Sequence, residues 1–391
     1  MAEAAALAEP DWLVERRRRG ASLAQELPLP DQKAKGWEFT DLSTLALESF
    51  AVGEVGAMIE ADGAEEAGAL VVPLEEALDA HGELLHERLG SLVPIEDPFV
   101  ARNDAAWRQG VLVYVPDGVR LQAPIRIEVT APGAAAAAWR TLVVLGDGAE
   151  AEVWERYTSD EADDGLLNSV VEISVGQAAH LSYVSVQELS DQAWIFATQR
   201  AEVGRDGAFD WTALGFGSAR GKVRMETNLA GRGAAARVTG AYAGGGSQHL
   251  DYDTTQEHAA PNTTSDLAFR GVLAQSATAV WRGMIRVDVG AQQTDAFQES
   301  RNLLLSTKAH ADAIPGLEIE ANDVRCTHAA AIAQIDPEQL YYLTSRGLSG
   351  AVARRLIIEG FLESLVERLS EGEIRDTVSG ALGRRLAEIL D

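Results

Sequence analysis

One thiol and one imidazole stand two residues apart in "RCTHAAA", residues 325–331, and Cys326 is the only cysteine among 391 residues. His328 is one of seven histidines. In an extended strand residues i and i+2 face the same side, so Cys326 and His328 converge if this segment is a strand. Thiolate and imidazole suit iron, zinc or an iron–sulfur cluster. Two ligands do not complete a tetrahedral site, and no CxxC or HxxxH motif supplies the rest. A Cys–His nucleophile pair needs contact, a third orienting group and an oxyanion motif, and no such motif stands beside it. A packed thiol near a hydrogen-bonded histidine is the remaining reading. Spacing alone leaves all three open.

The other polar constellations read as structure. His249 and His258 lie nine residues apart with Glu257 between them, a possible metal set, but polar residues satisfied within a rung account for them as well. The glycines of "YAGGGSQ" (242–248) lack the strand–loop–helix context and the Lys-Ser/Thr of a phosphate cradle, so they read as a turn. "DEADD" (160–164) has no apolar surroundings to raise a carboxyl pKa and reads as an exposed loop.

The elements that position these residues change texture twice along the chain. Residues 1 to about 105 read as a helical region with irregular joints. Within it, "LEEALDAHGELLHERLG" (74–90) predicts one helix stopped by Gly90, and in "KGWEFTDLSTL" (35–45) Thr40 and Asp41 are candidates to cap a turn. Residues 106–335 carry short alternating β-runs uninterrupted by any helical period. Four of them, "GAEAEVWERY", "AAHLSYVSVQ", "GAFDWTALGF" and "AAARVTGAYA", align from Ala149, Ala179, Ala208 and Ala235 with steps of 30, 29 and 27. A period near 28 with two short strands per unit predicts β-solenoid rungs; a β-sandwich is the competitor. Residues 336–391 return to helices. Asp336 is the predicted N-cap of a helix with Pro337 at its first position and Gly347 past its end, and Ser349 caps the next, with Val352, Leu356, Phe361, Leu365 and Leu369 among its apolar positions. Such a helical cap either blocks the last open rung or docks a partner.

Composition narrows the classes. A formal net charge of −27 disfavours nucleic acid, and "ERRRRG" (15–20), the only cationic run, reads as a solvated helix face. One cysteine allows no intrachain disulfide, which suits a reducing cytoplasm. The N-terminus lacks the features of a signal peptide, and the apolar runs "GALVVPL" and "GVLVYV" are too short to span a bilayer, so a cytoplasmic protein without a membrane partner is expected.

Residues 283–361 resemble the C-terminal signature of the SufB/SufD family of iron–sulfur cluster assembly scaffolds: "GAQQTDAFQ", "RNLLLS", "PGLEI", the C-x-H segment and "YYLTSRG". "GWEFTDL" (36–42) resembles a segment near the N-terminus of the SufD branch. The resemblance implies a mainly β fold, a right-handed parallel β-helix between helical terminal regions, and a non-enzymatic scaffold in a complex with SufB and the ABC-type ATPase SufC. SufB-type chains carry a cysteine in the strand matching "SRNLLLS" and a glutamate after the shared histidine. Here Arg301 to Leu305 and Ala329 occupy those places, which implies the SufD branch. By that match His328 binds iron or a nascent, transient cluster shared with SufB, while Cys326 plays a supporting part or lines the rung. The isolated chain is expected to hold no cofactor tightly and, through the open strand edge of a solenoid, to pair with itself. Tyr341, Tyr342, Arg346, Gly347 and Phe361 fall in the SufC docking region. The family usually continues "HGAT"; if its glycine serves a positive φ, Ala329 strains the turn by about 1 kcal/mol. The alternative from another class is a β-solenoid carbohydrate-active enzyme, which wants a groove of Asp, Arg and aromatic residues.

Overall fold

In a computed structural model, which describes residues 9–160, 162–369 and 371–390, the chain winds into a β-solenoid of about eight turns with helices at both terminal regions. Most of the N-terminal stretch examined for a signal peptide, and Glu161 of "DEADD", lie outside the described residues. The N-terminal region holds α1 (Asp11–Glu26), short strands β1 (Ala51–Val52), β2 (Gly56–Glu60) and β3 (Leu70–Pro73), then α2 (Leu74–Ala80), α3 (Gly82–Arg88) and α4 (Pro98–Ala106). The single helix expected over 74–90 is thus two. His81 leaves the helical region at φ −135°, ψ 33°, and Gly82 restarts it.

The coils follow as β4 (Gln109–Val115), β5 (Ile125–Thr130), β6 (Ala135–Leu145), β7 (Glu150–Thr158), β8 (Leu166–Val175), β9 (His180–Glu188), β10 (Trp194–Val203) and β11 (Ala208–Gly215). They continue as β12 (Arg220–Leu229), β13 (Ala235–Gly244), β14 (His249–His258), β15 (Thr264–Leu273), β16 (Thr278–Val287), β17 (Asp295–Leu304), β18 (His310–Ile319) and β19 (Arg325–Gln334). Even-numbered strands stack in one sheet and odd-numbered strands in the other, each parallel to the strand one turn away. This excludes the sandwich. The register joins Glu150, His180, Ala208 and Ala235, giving steps of 30, 28 and 27. The sequence alignment slipped by one residue at its third member, because small residues precede each of the four aligned strands.

A ladder at the tight corner explains the period. Gly118, Gly148, Ala178, Asp206, Gly233, Asn262 and Gln293 all have positive φ, and each donates its N–H to a carbonyl in the next coil, as Gly148 does to Gln177 and Ala178 to Arg205. Only some of these are glycine, so glycine spacing alone does not reveal the corner.

Alternation puts one face of every strand into a narrow lumen. Val153, Leu181, Phe209, Trp211, Tyr242, Phe269 and Trp281 fill it. Polar rungs interrupt the stack: Glu155, fully buried, accepts from Trp139 Nε1 at 2.8 Å and from the hydroxyls of Thr141 and Tyr183. Burial pushes its carboxyl up despite these donors.

The two ends of the solenoid differ. At the first coil β2 pairs antiparallel with β5, and β3 with β4, which closes the ladder to further parallel coils. At the other end β18 and β19 are the last strands of their sheets. Helices α5 (Pro337–Ser345), α6 (Gly350–Val366) and α7 (Glu373–Leu390) follow, and α6 and α7 do not cover that end. Their apolar face packs along the outside of the odd-numbered sheet, Ile358, Leu362, Leu365, Leu382 and Leu386 against Trp154, Val184, Leu214 and Val272. Asp336, Pro337, Gly347 and Ser349 do what was expected of them at the helix ends. Of the apolar positions of the second helix, Val352 and Leu356 are exposed; Ala353, Ile358, Leu362 and Leu365 take the buried side.

The cationic run is not a solvated face throughout. Arg16 donates to the buried carboxylate of Asp104 at 2.6 Å, shared with buried Arg140, and Arg17 donates to Trp107 O at 2.6 Å. No described helix is long and apolar enough to cross a membrane.

Candidate functional site

The last coil is where the chemistry expected from the sequence converges. In β17 the inward residues Ala296, Gln298, Ser300 and Asn302 are buried, and in β19 their ladder partners are Cys326, His328, Ala330 and Ile332. Cys326 packs with Ile285, Val287, Ala291 and Ala296 at the lumen's end. By alternation His328 points to the same side, which answers the spacing argument: the pair does share a face. Since no coil lies above β19 among the described residues, this inward face is open, and His328 is exposed, its imidazole making no hydrogen bond to any described residue. The apolar inward residues suffer the same exposure, Leu317 at 37%, Ile319 at 42% and Ile332 at 45%.

The two candidate ligands are not equivalent. Burial, and then the charge of Asp295, push the Cys326 thiol up, which disfavours the thiolate in the absence of a metal. His328 offers a ring nitrogen free of competing bonds. Among the described residues no group of three His, Cys, Asp or Glu side chains gathers to hold a metal ion. Ala329 lies in regular strand pairing opposite Glu299 and is not among the positive-φ residues, so no strain arises there.

Below His328 lies a residue that sequence reasoning missed. Gln298 is fully buried and is the Cα partner of His328. Its Nε2 donates across the lumen to Gly283 O at 3.3 Å and Gly316 O at 3.1 Å, and its Oε1 has no partner. Only glycine fits at 283, because a Cβ there would come within 2.2 Å of Trp281 Cη2 and 2.5 Å of Gln298 Oε1. One 30-residue step, the register of β17 on β19, separates 298 from 328. The signal was therefore in the period once applied to the motif.

The remaining candidates separate. His249 and His258 sit on opposite faces of β14, as their odd spacing dictates. His258 is buried inside with Nδ1 2.8 Å from Thr263 Oγ1 and Nε2 2.9 Å from Ser265 Oγ. His249 faces outward between Thr278 Oγ1 (2.8 Å) and Thr40 Oγ1 (3.2 Å). Burial lowers the pKa of both imidazoles. Asp41 caps its turn by accepting from Ser43 N at 2.9 Å. Thr40 instead donates to Asp251, which also takes Lys222 Nζ at 2.8 Å, while Lys222 lies over the Trp37 ring. "GWEFTDL" is thereby strapped onto the even-numbered sheet. In "YAGGGSQ", residues 242–244 end β13 and residues 245–248 form the corner to β14.

The helical candidates divide as well. Tyr341 is 76% and Tyr342 57% exposed on α5, with Arg346 stacked 5.1 Å over the Tyr342 ring and Gly347 just beyond. Phe361 turns inward, under the guanidinium of buried Arg270.

Comparison with known proteins decides the family. The profile described as "SUF system FeS cluster assembly, SufBD core domain" matches residues 128–361. This chain belongs to the SufBD family. It is 28% identical to the iron–sulfur cluster assembly protein SufD of Bacillus subtilis (strain 168), over 95% of this chain and 93% of that one. A SufBD family iron–sulfur cluster assembly protein of Mycobacterium tuberculosis (strain ATCC 25618 / H37Rv) is 30% identical over 76% of this chain and 77% of its own. One from Staphylococcus aureus (strain USA300) is 27% identical over 92% and 86%. The SufBD match spans the solenoid from β5 through β19 and includes both the open end and α5. It gives the carbohydrate-active alternative no support.

Proposed function

We propose that this SufBD chain is the SufD-type, non-enzymatic scaffold subunit of a complex with SufB and SufC in the cytoplasm. Its open last coil pairs with the corresponding coil of SufB, and His328 contributes a donor at the seam to iron or to the cluster under construction, which is cargo and not a resident cofactor. One observation carries the reading: His328 is an inward-facing imidazole on the terminal strand of an uncapped solenoid.

The chemistry fits that position. A neutral ring nitrogen is a ligand for iron, and a strand edge next to it has N–H and C=O groups to share with another chain. Adding a coil would also cover Leu317, Ile319 and Ile332, residues that a fully wound solenoid buries. A single donor from this chain then suffices because SufB supplies the others. Cys326 supports the layer by packing. On the outside, α5 offers Tyr341, Tyr342 and Arg346 as the docking surface for SufC, and Phe361 anchors α6 beneath it. Without SufB the same edge pairs two copies of this chain.

Affinity purification from the native host tests the assignment. Recovery of a second solenoid chain together with an ABC-type ATPase is expected. Recovery of the chain alone, with activity that releases reducing ends from a polysaccharide, would overturn it.

A further inference from the structure

We propose that Gln298 is a positioning residue for His328: its side-chain oxygen accepts the imidazole N–H and thereby aims the other ring nitrogen at the seam. This inference rests on the reading of His328 as an iron donor and assigns the group that orients it.

The argument begins with the amide. Two backbone carbonyls from the opposite sheet, Gly283 O and Gly316 O, take both hydrogens of Gln298 Nε2. That pair fixes which end of the amide is nitrogen, so the free atom is an acceptor. Gln298 is fully buried, and its Oε1 has no partner. A buried carbonyl oxygen left without a donor is unfavourable and calls for a donor that completes it.

The position supplies the group. Gln298 and His328 are ladder partners on adjacent parallel strands, both facing the lumen, and adjacent strands lie about 4.8 Å apart. The other unpartnered group of this layer is Trp281 Nε1, but Trp281 meets the site with Cη2 and Cζ2 of its benzo edge. The imidazole is the donor one layer above, held by nothing on the open rim. A coil laid over the rim by a partner confines the ring to the layer directly over Gln298. An imidazole that ligates iron through one nitrogen characteristically gives the N–H of the other to a carbonyl or carboxylate, which fixes tautomer and orientation.

Ferrous iron binding to the purified three-component complex, titrated anaerobically, tests this with Gln298→Met, Gln298→Leu, His328→Ala and the double variant Gln298→Met/His328→Ala. Methionine keeps the volume and removes the acceptor, so affinity should fall about tenfold to a hundredfold. Leucine, shorter and likewise without an acceptor, should lower affinity over the same range. The double variant should bind like His328→Ala alone, because Gln298 acts through the imidazole. A merely structural Gln298 would instead weaken binding equally with or without His328, and that additivity overturns the proposal. So does wild-type affinity in Gln298→Met or in Gln298→Leu. Should Gln298→Met not fold, Gln298→Leu in the two His328 backgrounds decides by the same criteria. Wild-type iron binding in His328→Ala would remove the underlying reading along with this one, whereas loss in His328→Ala with an unaffected Gln298→Met refutes this proposal alone.

Discussion

Acid should destabilise this protein through His258, and the size of the effect follows from its surroundings. Thr263 Oγ1 donates to Ala260 O at 3.1 Å, so toward His258 it acts as acceptor, and the proton rests on Nδ1. Nε2 then accepts from Ser265, and the neutral ring is satisfied inside the lumen. Burial lowers its pKa from 6.5 to about 4. A base with a depressed folded-state pKa leaves the unfolded chain to take up the proton first. Stability is therefore unaffected by this group above pH ~7, falls as pH drops through 6.5 toward 4, and levels off below. A difference of about 2.5 units at about 1.36 kcal/mol each gives about 3 kcal/mol in total. Carboxylates titrate in the lower part of the window, so the assay is a difference. Urea unfolding of wild type and His258→Gln is compared at pH 7.5, 6.0, 5.0 and 4.5. The wild type's advantage at pH 7.5 should shrink by roughly 2–3 kcal/mol at pH 4.5. A gap that does not change with pH refutes the buried, neutral assignment.

Three further outcomes are expected. Replacing Tyr341 and Tyr342 together by Ala should weaken docking of the ATPase at least about tenfold with no change in thermal stability, measured by co-purification and melting; undiminished docking counts against α5 as the surface. Deleting residues 337–391 should abolish co-purification of the ATPase and also lower stability, because it strips the cover from Trp154, Val184 and Leu214; wild-type ATPase binding by the truncated chain refutes the docking assignment. Ile332→Asp, a charge on the rim facing the next coil, should leave the isolated chain monomeric in light scattering at micromolar concentration where wild type is dimeric, and an unchanged dimer, or a wild type that is only monomeric, places any self-association elsewhere.

What the sequence made legible was whatever repeats or alternates. Period and alternation located the solenoid, and the i, i+2 rule placed Cys326 and His328 on one face of a strand. Capping chemistry located Asp336 and Ser349 because those interactions span only a few residues. What escaped was set by distant neighbours. Thr40 looked like a local cap, yet its partners are Asp251 and His249, more than 200 residues away. Gln298 needed the exact coil-to-coil register, which an alignment slipping by one residue does not supply. Phe361 and Leu356 share a helix, but which of them meets the sheet depends on where α6 docks, and helical period alone does not say. The break at His81 was hidden for a different reason: α2 and α3 both carry good helix formers, and only the irregular His81 backbone divides them.

The central claim is that the imidazole, and not the thiol, is what this chain brings to the cluster. Iron and acid-labile sulfide, counted on the three-component complex purified anaerobically with either His328→Ala or Cys326→Ala, test it most directly. With folding and assembly nearly intact in both, His328→Ala should lose most of the cluster and Cys326→Ala little. The reverse ranking would contradict the account and make the lone thiol a sulfur acceptor in its own right.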